Sequence, residues 1–302
     1  MLTIKQIREN RAYTIERLAV KGVDAAEAVD RIEKLDDERK SIQARLDGNL
    51  AEQNAIAKEI GMLFKQGKKD EAEAAKARTA ALKEASKELD GRLRDVEAEL
   101  NAEIVKLPNF PNKDVPHGLT AADNVVVRTG GATPELPSDA LPHWELARKY
   151  DIIDFDLGVK LTGAGFPVYK GKGARLQRAL INYFLDCNTK AGYLEVEPPI
   201  MVNEASGFGT GQLPDKEGQM YHATVDNFYL VPTAEVPVTN IYRDVILEKE
   251  DFPVKMTAYT PCFRREAGSY GKDVRGLNRL HQFDKVEIVQ LSLPEKSYEA
   301  LD

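Results

Sequence analysis

The sequence predicts an α+β protein in which a long antiparallel pair of helices precedes a domain built on an antiparallel sheet. Residues 24–107 contain no proline and repeat apolar residues at helical spacing. Six prolines then lie between Pro108 and Pro142, and strand-like and helical segments alternate beyond them. We therefore expect a helical arm at 1–107, a proline-rich linker at 108–142 and a sheet domain at 143–302.

Two seams of mostly apolar residues, spaced by three and four, predict the two helices of the arm. They run from Ala28 to Leu63 and from Ala72 to Leu100, and Gly67 lies between them as the expected helix stop. Helices of this length would each extend ~60 Å. A shorter helix is expected before about Val20. Taken alone, such an arm is also typical of a coiled-coil spacer or an oligomerisation rod.

The sheet domain is predicted from patterns of a different period. Helical periodicity returns at 174–189. Alternating or β-branched segments at 193–197, 228–230, 254–263 and 280–291 predict strands. The last two segments flank a glycine-rich loop, which indicates a long hairpin.

Composition excludes several classes of protein. No apolar run reaches the ~20 residues of a membrane span, and the first residues lack the apolar block of a signal peptide. Cys187 and Cys262 have no partner at metal-ligand spacing, so we expect no metal site in this chain and a cytoplasmic location. The net charge is −7, so any contact with nucleic acid must come from local patches. One such patch, or simply a solvated surface, is the cluster Lys65, Lys68 and Lys69 beside the turn of the arm.

The predicted hairpin carries residues suited to nucleotide chemistry. Alternation places Arg264 and Glu266 on one face of its first strand, and Arg279, Phe283 and Glu287 on one face of the second. Arginine binds phosphate oxygens, phenylalanine stacks on a purine, and a carboxylate binds an ammonium group. Phe283 and Glu287 would lie ~13 Å apart, which suits the two ends of an aminoacyl-adenylate.

Two plainer interpretations of this region remain open. The charged face of the hairpin is also compatible with an ordinary solvated surface. The loop 268–278 carries Lys272 and Arg275, which suit either contact with a nucleic-acid backbone or a simple connection. The nearby His281 is expected to support the structure and not to carry a proton.

Four segments together resemble class II aminoacyl-tRNA synthetases in their seryl version. Residues 263–269 followed by 279–287 resemble motif 2, and residues 231–237 resemble the serine-recognition segment. Residues 194–200 resemble motif 1, the dimer-forming strand, and 163–185 resemble the helix before it. The helical arm resembles the tRNA-binding arm of the same family, so the resemblance covers essentially the whole chain.

The resemblance implies roles for individual residues. For catalysis it indicates Arg264 and Arg279. For ATP the positions are Arg264, Arg265, Glu266, Arg279, Leu280 and Phe283, although the side chain of Arg265 should face away from Arg264. For serine they are Thr233, Ala234, Glu235 and Glu287. For tRNA we add Lys65, Lys68, Lys69, Lys272 and Arg275.

The implied activity is the ATP-dependent attachment of serine to tRNA(Ser), and also to tRNA(Sec), through a seryl-adenylate, by a homodimer joined through 193–200. Mg²⁺ is implied with ATP, its ligands being expected beyond Asp302. The family's third motif does not occur before the chain ends, so we expect residues 1–302 alone to be inactive. Two alternatives stay open: a relative that loads something other than tRNA, and a binding module without catalysis.

Overall fold

The structure, a computed structural model, describes residues 2–266 and 275–302. It separates into two compact units, Met1–Ala132 and Thr133–Asp302, and each is described by itself below.

The described residues form helices and short strands in the following order. The helices are α1 (Ile4–Glu9), α2 (Arg11–Ala19), α3 (Ala26–Lys65), α4 (Lys69–Ile104), α5 (His143–Lys149), α6 (Phe155–Leu161), α7 (Gly171–Lys190), α8 (Glu204–Gly209), α9 (Glu235–Asn240) and α10 (Ser297–Leu301). The strands are β1 (Ile153–Asp154), β2 (Val168–Tyr169), β3 (Leu194–Glu195), β4 (Met201–Val202), β5 (His222–Ala223), β6 (Phe228–Leu230), β7 (Val254–Phe263) and β8 (Gln282–Leu291).

The arm of the first unit is the pair α3 and α4, as the sequence predicts. Their 40 and 36 residues correspond to lengths of about 60 and 54 Å. Gly67 follows α3 with a φ of 75°, a left-handed conformation that glycine adopts without strain. The next helix begins at Lys69 with Lys68 at its N-cap.

Ion pairs between α3 and α4 show that the two helices run in opposite directions. Residues further along α3 pair with residues that lie earlier in α4: Arg31 with Glu99, Glu38 with Arg92, and Glu52 with Arg78. Both predicted seams are interrupted by a polar layer, in which Asn49 and Gln53 donate hydrogen bonds to Ser86 Oγ at 3.2 and 3.4 Å.

The single short helix expected before the arm is in fact two helices, α1 and α2. Asn10 interrupts them with a non-helical backbone (φ −137°, ψ 49°). Residues of α1 and α2 close an apolar core at the base of the arm, where Ile7 and Leu18 pack with Val29, Ile32 and Val96.

A buried carboxylate ties α1 to the arm within this unit. The Asp36 side chain is fully buried and receives Arg8 at 3.1 Å, Arg39 at 2.8 Å and Lys40 at 2.7 Å. Burial by itself would raise the pKa of Asp36, but the hydrogen bonds and charges of Lys40 and Arg39 outweigh it and lower the pKa below its ordinary value.

The second unit is organised around the hairpin of β7 and β8. Ten residues of each strand pair antiparallel, from Val254 opposite Leu291 to Phe263 opposite Gln282. The short strand β3 joins the other edge of β7 in parallel, a direction that the sequence analysis did not foresee. A second small sheet has the order β4-β6-β5. The antiparallel hairpin that the sequence predicts is therefore confirmed as the centre of this domain.

Candidate active site

The candidate site lies on one face of the hairpin. Directly opposed residues in antiparallel strands point to the same side, so Ala258, Thr260 and Cys262 share a face with Glu287, Lys285 and Phe283. Ala258, Thr260 and Cys262 are buried. Burial raises the pKa of the Cys262 thiol, which makes it a packing residue and not a nucleophile.

Arg264 lies over the ring of Phe283 at the open end of this face. Its Cζ is 5.2 Å from the ring centroid, within the range of a cation–π contact. Its Nε donates to the carbonyl oxygen of Pro232 at 3.3 Å, and its backbone N–H donates to the carbonyl oxygen of His281 at 3.0 Å. Within the described part of the chain, the two terminal nitrogens of this guanidinium form no hydrogen bond, so they are available to an anionic ligand.

Glu266 and Arg279 form an ion pair that strand alternation does not account for. β7 ends at Phe263 and β8 begins at Gln282, so Glu266 and Arg279 both lie outside the strands. Glu266 has a φ of 48°, which turns the chain out of the strand. Its Oε2 lies 3.4 Å from Arg279 Nη1, with Glu266 nearly buried and Arg279 about half exposed.

The residues that the resemblance assigns to serine come together at the other end of the face. Thr233 is buried, and its Oγ1 donates to Glu287 Oε2 at 2.7 Å. The same Oγ1 accepts the backbone N–H of Glu235 at 3.2 Å. Ala234 is buried at the start of α9, whereas Glu235 is exposed.

This placement results from the packing of the 231–235 segment against both sheets. Val231 donates its N–H to the carbonyl oxygen of Ile200 at 3.0 Å, and its own carbonyl oxygen accepts the N–H of Phe263 at 2.9 Å. Val231 thereby joins the end of β7 to the segment that follows β6. A residue two positions further on, Thr233, then reaches the middle of β8.

The remaining residues that the resemblance assigns to ATP, Arg265 and Leu280, lie outside this face. Arg265 donates from Nε to the carbonyl oxygen of Met220 at 3.1 Å and lies over the Tyr221 ring, 4.9 Å from its centroid. Tyr221 Oη is in turn 2.7 Å from His281 Nδ1. Leu280 is buried. His281 stacks on Phe166, so its contacts are those of a structural residue.

The residues assigned to tRNA are exposed wherever the structure describes them. Lys65, Lys68 and Lys69 are exposed at the turn of the arm, with Lys68 paired to Glu71 at 3.1 Å. Arg275 is exposed in the second unit. Lys272 lies outside the described residues.

Sequence reasoning missed two parts of the site. Lys285 projects between Phe283 and Glu287 on the same face, which the alternation already used for its neighbours would have revealed. On the opposite face, Asp284 accepts hydrogen bonds from Tyr259 Oη and Gln177 Nε2, both at 2.7 Å. Burial, and then the hydrogen bond to Asp284, raise the pKa of Tyr259 well above its ordinary value, so Tyr259 stays a neutral phenol. The hydrogen bond from Gln177 to Asp284 ties α7 to the hairpin.

The sheet domain is that of a class II synthetase core. Residues 220–302 match the family model for the tRNA synthetase class II core domain (G, H, P, S and T), and residues 1–111 match the seryl-tRNA synthetase N-terminal domain. Two similar proteins are serine–tRNA ligases of Salinibacter ruber, 46% identical, and Syntrophotalea carbinolica, 44% identical. Each match covers the whole of this chain and 71% or 70% of the relative. The chain belongs to the serine–tRNA ligase family.

Solved structures agree with this assignment. The seryl-tRNA synthetase of Pyrococcus horikoshii, complexed with ATP, matches 99% of this chain and 71% of that chain with a TM-score of 0.86 and 30% identity. The cytoplasmic serine–tRNA ligase of Naegleria fowleri, in complex with AMP, matches 100% of this chain and 73% of that chain with a TM-score of 0.80. At 23% identity the second likeness bears on the fold alone.

Residues 2–266 and 275–302 contain no group of three or more His, Cys, Asp or Glu side chains arranged to hold a metal ion. Within the same residues, no helix is both long enough and apolar enough to cross a membrane.

Proposed function

We propose that the β7–β8 face binds ATP and serine and supports formation of seryl-adenylate, the first step in attaching serine to tRNA(Ser). The observation that carries the proposal is the pair of contacts on one face: Arg264 over Phe283 at one end, and Thr233 hydrogen-bonded to Glu287 at the other. The ligase of Pyrococcus horikoshii, which shares this fold, was solved with ATP. Phe283 and Glu287 are four residues apart in β8, or ~13 Å. This separation suits the nucleotide end and the amino-acid end of an extended adenylate.

The step itself is a displacement at phosphorus. An oxygen of the serine carboxylate forms a bond to the α-phosphorus, the bond to the bridging oxygen breaks, and pyrophosphate leaves with that electron pair. The terminal nitrogens of Arg264 form no hydrogen bond with any described residue, and they bind the oxygens on which charge accumulates once the guanidinium leaves the Phe283 ring. Arg279 is held by Glu266 and adds a second cation for the nucleotide. In the second step the terminal ribose hydroxyl of tRNA takes the seryl group and AMP leaves.

This chemistry is mainly positioning and charge stabilisation, and no side chain of the face has to move a proton. Mg²⁺ enters the proposal only as the counter-ion that a triphosphate carries. Because the described residues supply no cluster of ligands for it, no step is assigned to it.

We assign tRNA binding to the helical arm, whose residues 1–111 match the N-terminal domain of seryl-tRNA synthetases. The exposed lysines at its turn, Lys65, Lys68 and Lys69, suit contact with phosphates. This match speaks against a relative that loads something other than tRNA. Reading of tRNA(Sec) and a cytoplasmic location remain predictions of the resemblance.

We also propose a homodimer formed through α7 and β3. Leu176, Leu180, Tyr183 and Phe184 recur at the spacing of one helix face and are 43–61% exposed, and Leu194 on the adjoining strand is 63% exposed. A contiguous apolar surface of this kind usually marks an interface. It adjoins the segment that resembles motif 1.

The test is the affinity of the full chain for non-hydrolysable aminoacyl-adenylate analogues, measured by isothermal titration calorimetry. The seryl analogue should bind more tightly than the alanyl analogue by ~10-fold, because the serine hydroxyl gains a hydrogen bond that alanine lacks. AMP alone should bind more weakly than either. Equal binding of the seryl and alanyl compounds would reject serine as the substrate, and no binding of any of the three would favour a module without catalysis.

A further inference from the structure

The amino-acid end of the site contains a cation that neither the sequence analysis nor the resemblance assigns. Lys285 lies on β8 opposite Thr260 and between Phe283 and Glu287 on the site face. Its side chain is one-third exposed, and its Nζ donates to Thr233 Oγ1 at 3.0 Å and forms an ion pair with Glu287 Oε2. A lysine therefore sits where the resemblance places a bound amino acid.

The contacts of Thr233 at this point are complete. Its hydroxyl donates one hydrogen bond, to Glu287 Oε2 at 2.7 Å. It accepts two, from Lys285 Nζ at 3.0 Å and from the backbone N–H of Glu235 at 3.2 Å. A hydroxyl offers one donor and two acceptor positions, so all are used and its orientation is fixed.

The contacts of Glu287 are divided unequally between its two oxygens. The hydrogen bond from Thr233 and the closest approach of Lys285 both fall on Oε2. Among the described residues, none forms a hydrogen bond with Oε1. The backbone beneath is also fixed, because the Glu287 carbonyl oxygen accepts Thr257 Oγ1 at 2.8 Å. The carboxylate is thus held through one oxygen, and its side chain is 20% exposed.

We propose that Lys285 is a positioning residue for amino-acid recognition: together with Thr233 it holds Oε2 of Glu287, so that Oε1 is presented to the ammonium group of serine. This inference rests on the proposed function of the face. An ammonium group binding Oε1 needs a carboxylate whose rotation is already restricted, because fixing a free Glu side chain on binding costs conformational entropy. Lys285 removes that cost before the ligand arrives.

The test compares Lys285→Met, which keeps the length of the side chain without its charge, with Lys285→Arg, which keeps the charge. Each full-length variant is titrated with the seryl-adenylate analogue and with its counterpart in which hydrogen replaces the α-amino group. For Lys285→Met we expect ~10-fold weaker binding of the amino compound and a change below ~2-fold for the deamino compound. Lys285→Arg should restore the amino compound to within ~3-fold of the unchanged protein.

Three results would overturn the proposal. Equal losses for both compounds in Lys285→Met would indicate a general structural role. Tighter binding of the amino compound by Lys285→Met would make Lys285 a competitor of the ammonium group and not its support. Failure of Lys285→Arg to restore binding, in a variant that melts like the unchanged protein, would show that the positive charge is not what matters. A fourth result bears on the proposed function itself: if the unchanged protein does not prefer the amino compound, the face does not recognise the ammonium group of serine. Failure of the proposed function is therefore seen in the unchanged protein, and failure of the Lys285 proposal is seen only in the variants.

Discussion

At the scale of single residues, Arg264 connects the two ends of the candidate site. Its backbone is bonded to His281, its Nε to the carbonyl oxygen of Pro232 in the serine segment, and its guanidinium covers Phe283. Through its backbone and Nε, Arg264 thereby joins the 231–235 segment to the start of β8, while its guanidinium covers the proposed adenine-stacking ring. A change at this position should affect the nucleotide more than any change next to it.

We therefore predict that Arg264→Ala weakens binding of ATP by ~10- to 100-fold, the usual effect of losing a hydrogen-bonding group to a charged partner. Arg265→Ala is the matched comparison, because its guanidinium is directed to Met220 and Tyr221. It should change ATP affinity by less than ~3-fold. Calorimetric titration of both variants with ATP checks the prediction, and equal losses would mean that the neighbouring arginine also serves the nucleotide.

From the sequence, strand alternation predicts which side chains share a face inside β8, but it does not apply to residues beyond the ends of the two strands. Phe283 and Glu287 share a face because both lie inside β8. Glu266 and Arg279 do meet, but through a left-handed residue and a segment before the strand, which alternation does not describe. Alternation also places Lys285 on this face, but a lysine in a hairpin is usually solvated, and its role becomes evident from the contact with buried Thr233.

At the scale of elements, the base of the arm depends on one buried charge. Asp36 is fully buried, and its cationic partners Arg8, Arg39 and Lys40 come from both α1 and α3. Replacing Asp36 by asparagine would deprive all three cations of their common carboxylate and leave an uncharged amide in the buried position. The neighbouring Asp37 also pairs with Arg8, at 2.8 Å, but is 63% exposed.

We predict that Asp36→Asn lowers the free energy of unfolding by about 3 kcal/mol, whereas Asp37→Asn lowers it by less than about 1 kcal/mol. Urea unfolding of the full chain, followed by circular dichroism at the helical band, measures both. Similar losses in the two variants would show that burial of Asp36 does not set its contribution.

The stability of this cluster should depend on pH, because the pKa of Asp36 is shifted downward on folding. Because the pKa of folded Asp36 lies below its ordinary value, the ionised form stabilises the folded arm. The stabilisation is complete above ~pH 4 and is lost as the pH falls through the folded pKa. The helical melting temperature should therefore fall more steeply below ~pH 4 in the unchanged protein than in Asp36→Asn. Parallel curves for the two proteins would contradict this account.

The turn of the arm carries the prediction for tRNA. Replacing Lys65, Lys68 and Lys69 together by alanine should weaken tRNA binding and reduce the slope of log K against log salt by ~2–3, since each lost phosphate contact removes slightly less than one unit. Binding of the seryl-adenylate analogue should not change. The matched control replaces Lys160, Lys190 and Lys249, which are exposed in the second unit. An equal effect from the control would assign the salt dependence to the overall charge.

The sequence predicts long helices and strands more accurately than short ones. α3, α4, β7 and β8 each extend over ten residues or more, so their apolar periods are clear, and all four lie close to the expected positions. The break at Asn10 and the parallel pairing of β3 were not foreseen. A single interrupted turn has no periodic signal, and the direction of a two-residue strand depends on contacts distant in sequence.

At the scale of the whole molecule, the proposed dimer rests on the apolar face of α7. Replacing Leu180, 43% exposed on that face, by glutamate should convert a dimer into a monomer, because it places a charge where two apolar surfaces meet. Asn182→Glu, two positions along and on the opposite side of the helix, is the control. Light scattering at micromolar protein measures the mass. A monomer in the unchanged protein, or a dimer in Leu180→Glu, would contradict the assignment.

Family membership for the whole chain follows from the combination of its segments. The arm alone is compatible with a spacer, and the hairpin face alone with a solvated surface. Together they lie in a chain that is 46% identical to the serine–tRNA ligase of Salinibacter ruber over all 302 of its own residues and 71% of the relative. What the sequence does not supply is the geometry by which Thr233 reaches Glu287, because that contact depends on Val231 linking two separate sheets.

The central claim is that the β7–β8 face binds seryl-adenylate with its two ends at Phe283 and Glu287. The most direct measurement is a crystal structure of the chain with the non-hydrolysable seryl-adenylate analogue. We expect adenine to stack on Phe283 and the Arg264 guanidinium to move from that ring to the α-phosphate. We expect the serine ammonium group to lie within ~3 Å of Glu287 Oε1. An analogue bound elsewhere, or bound here with its serine end at Phe283, would contradict it.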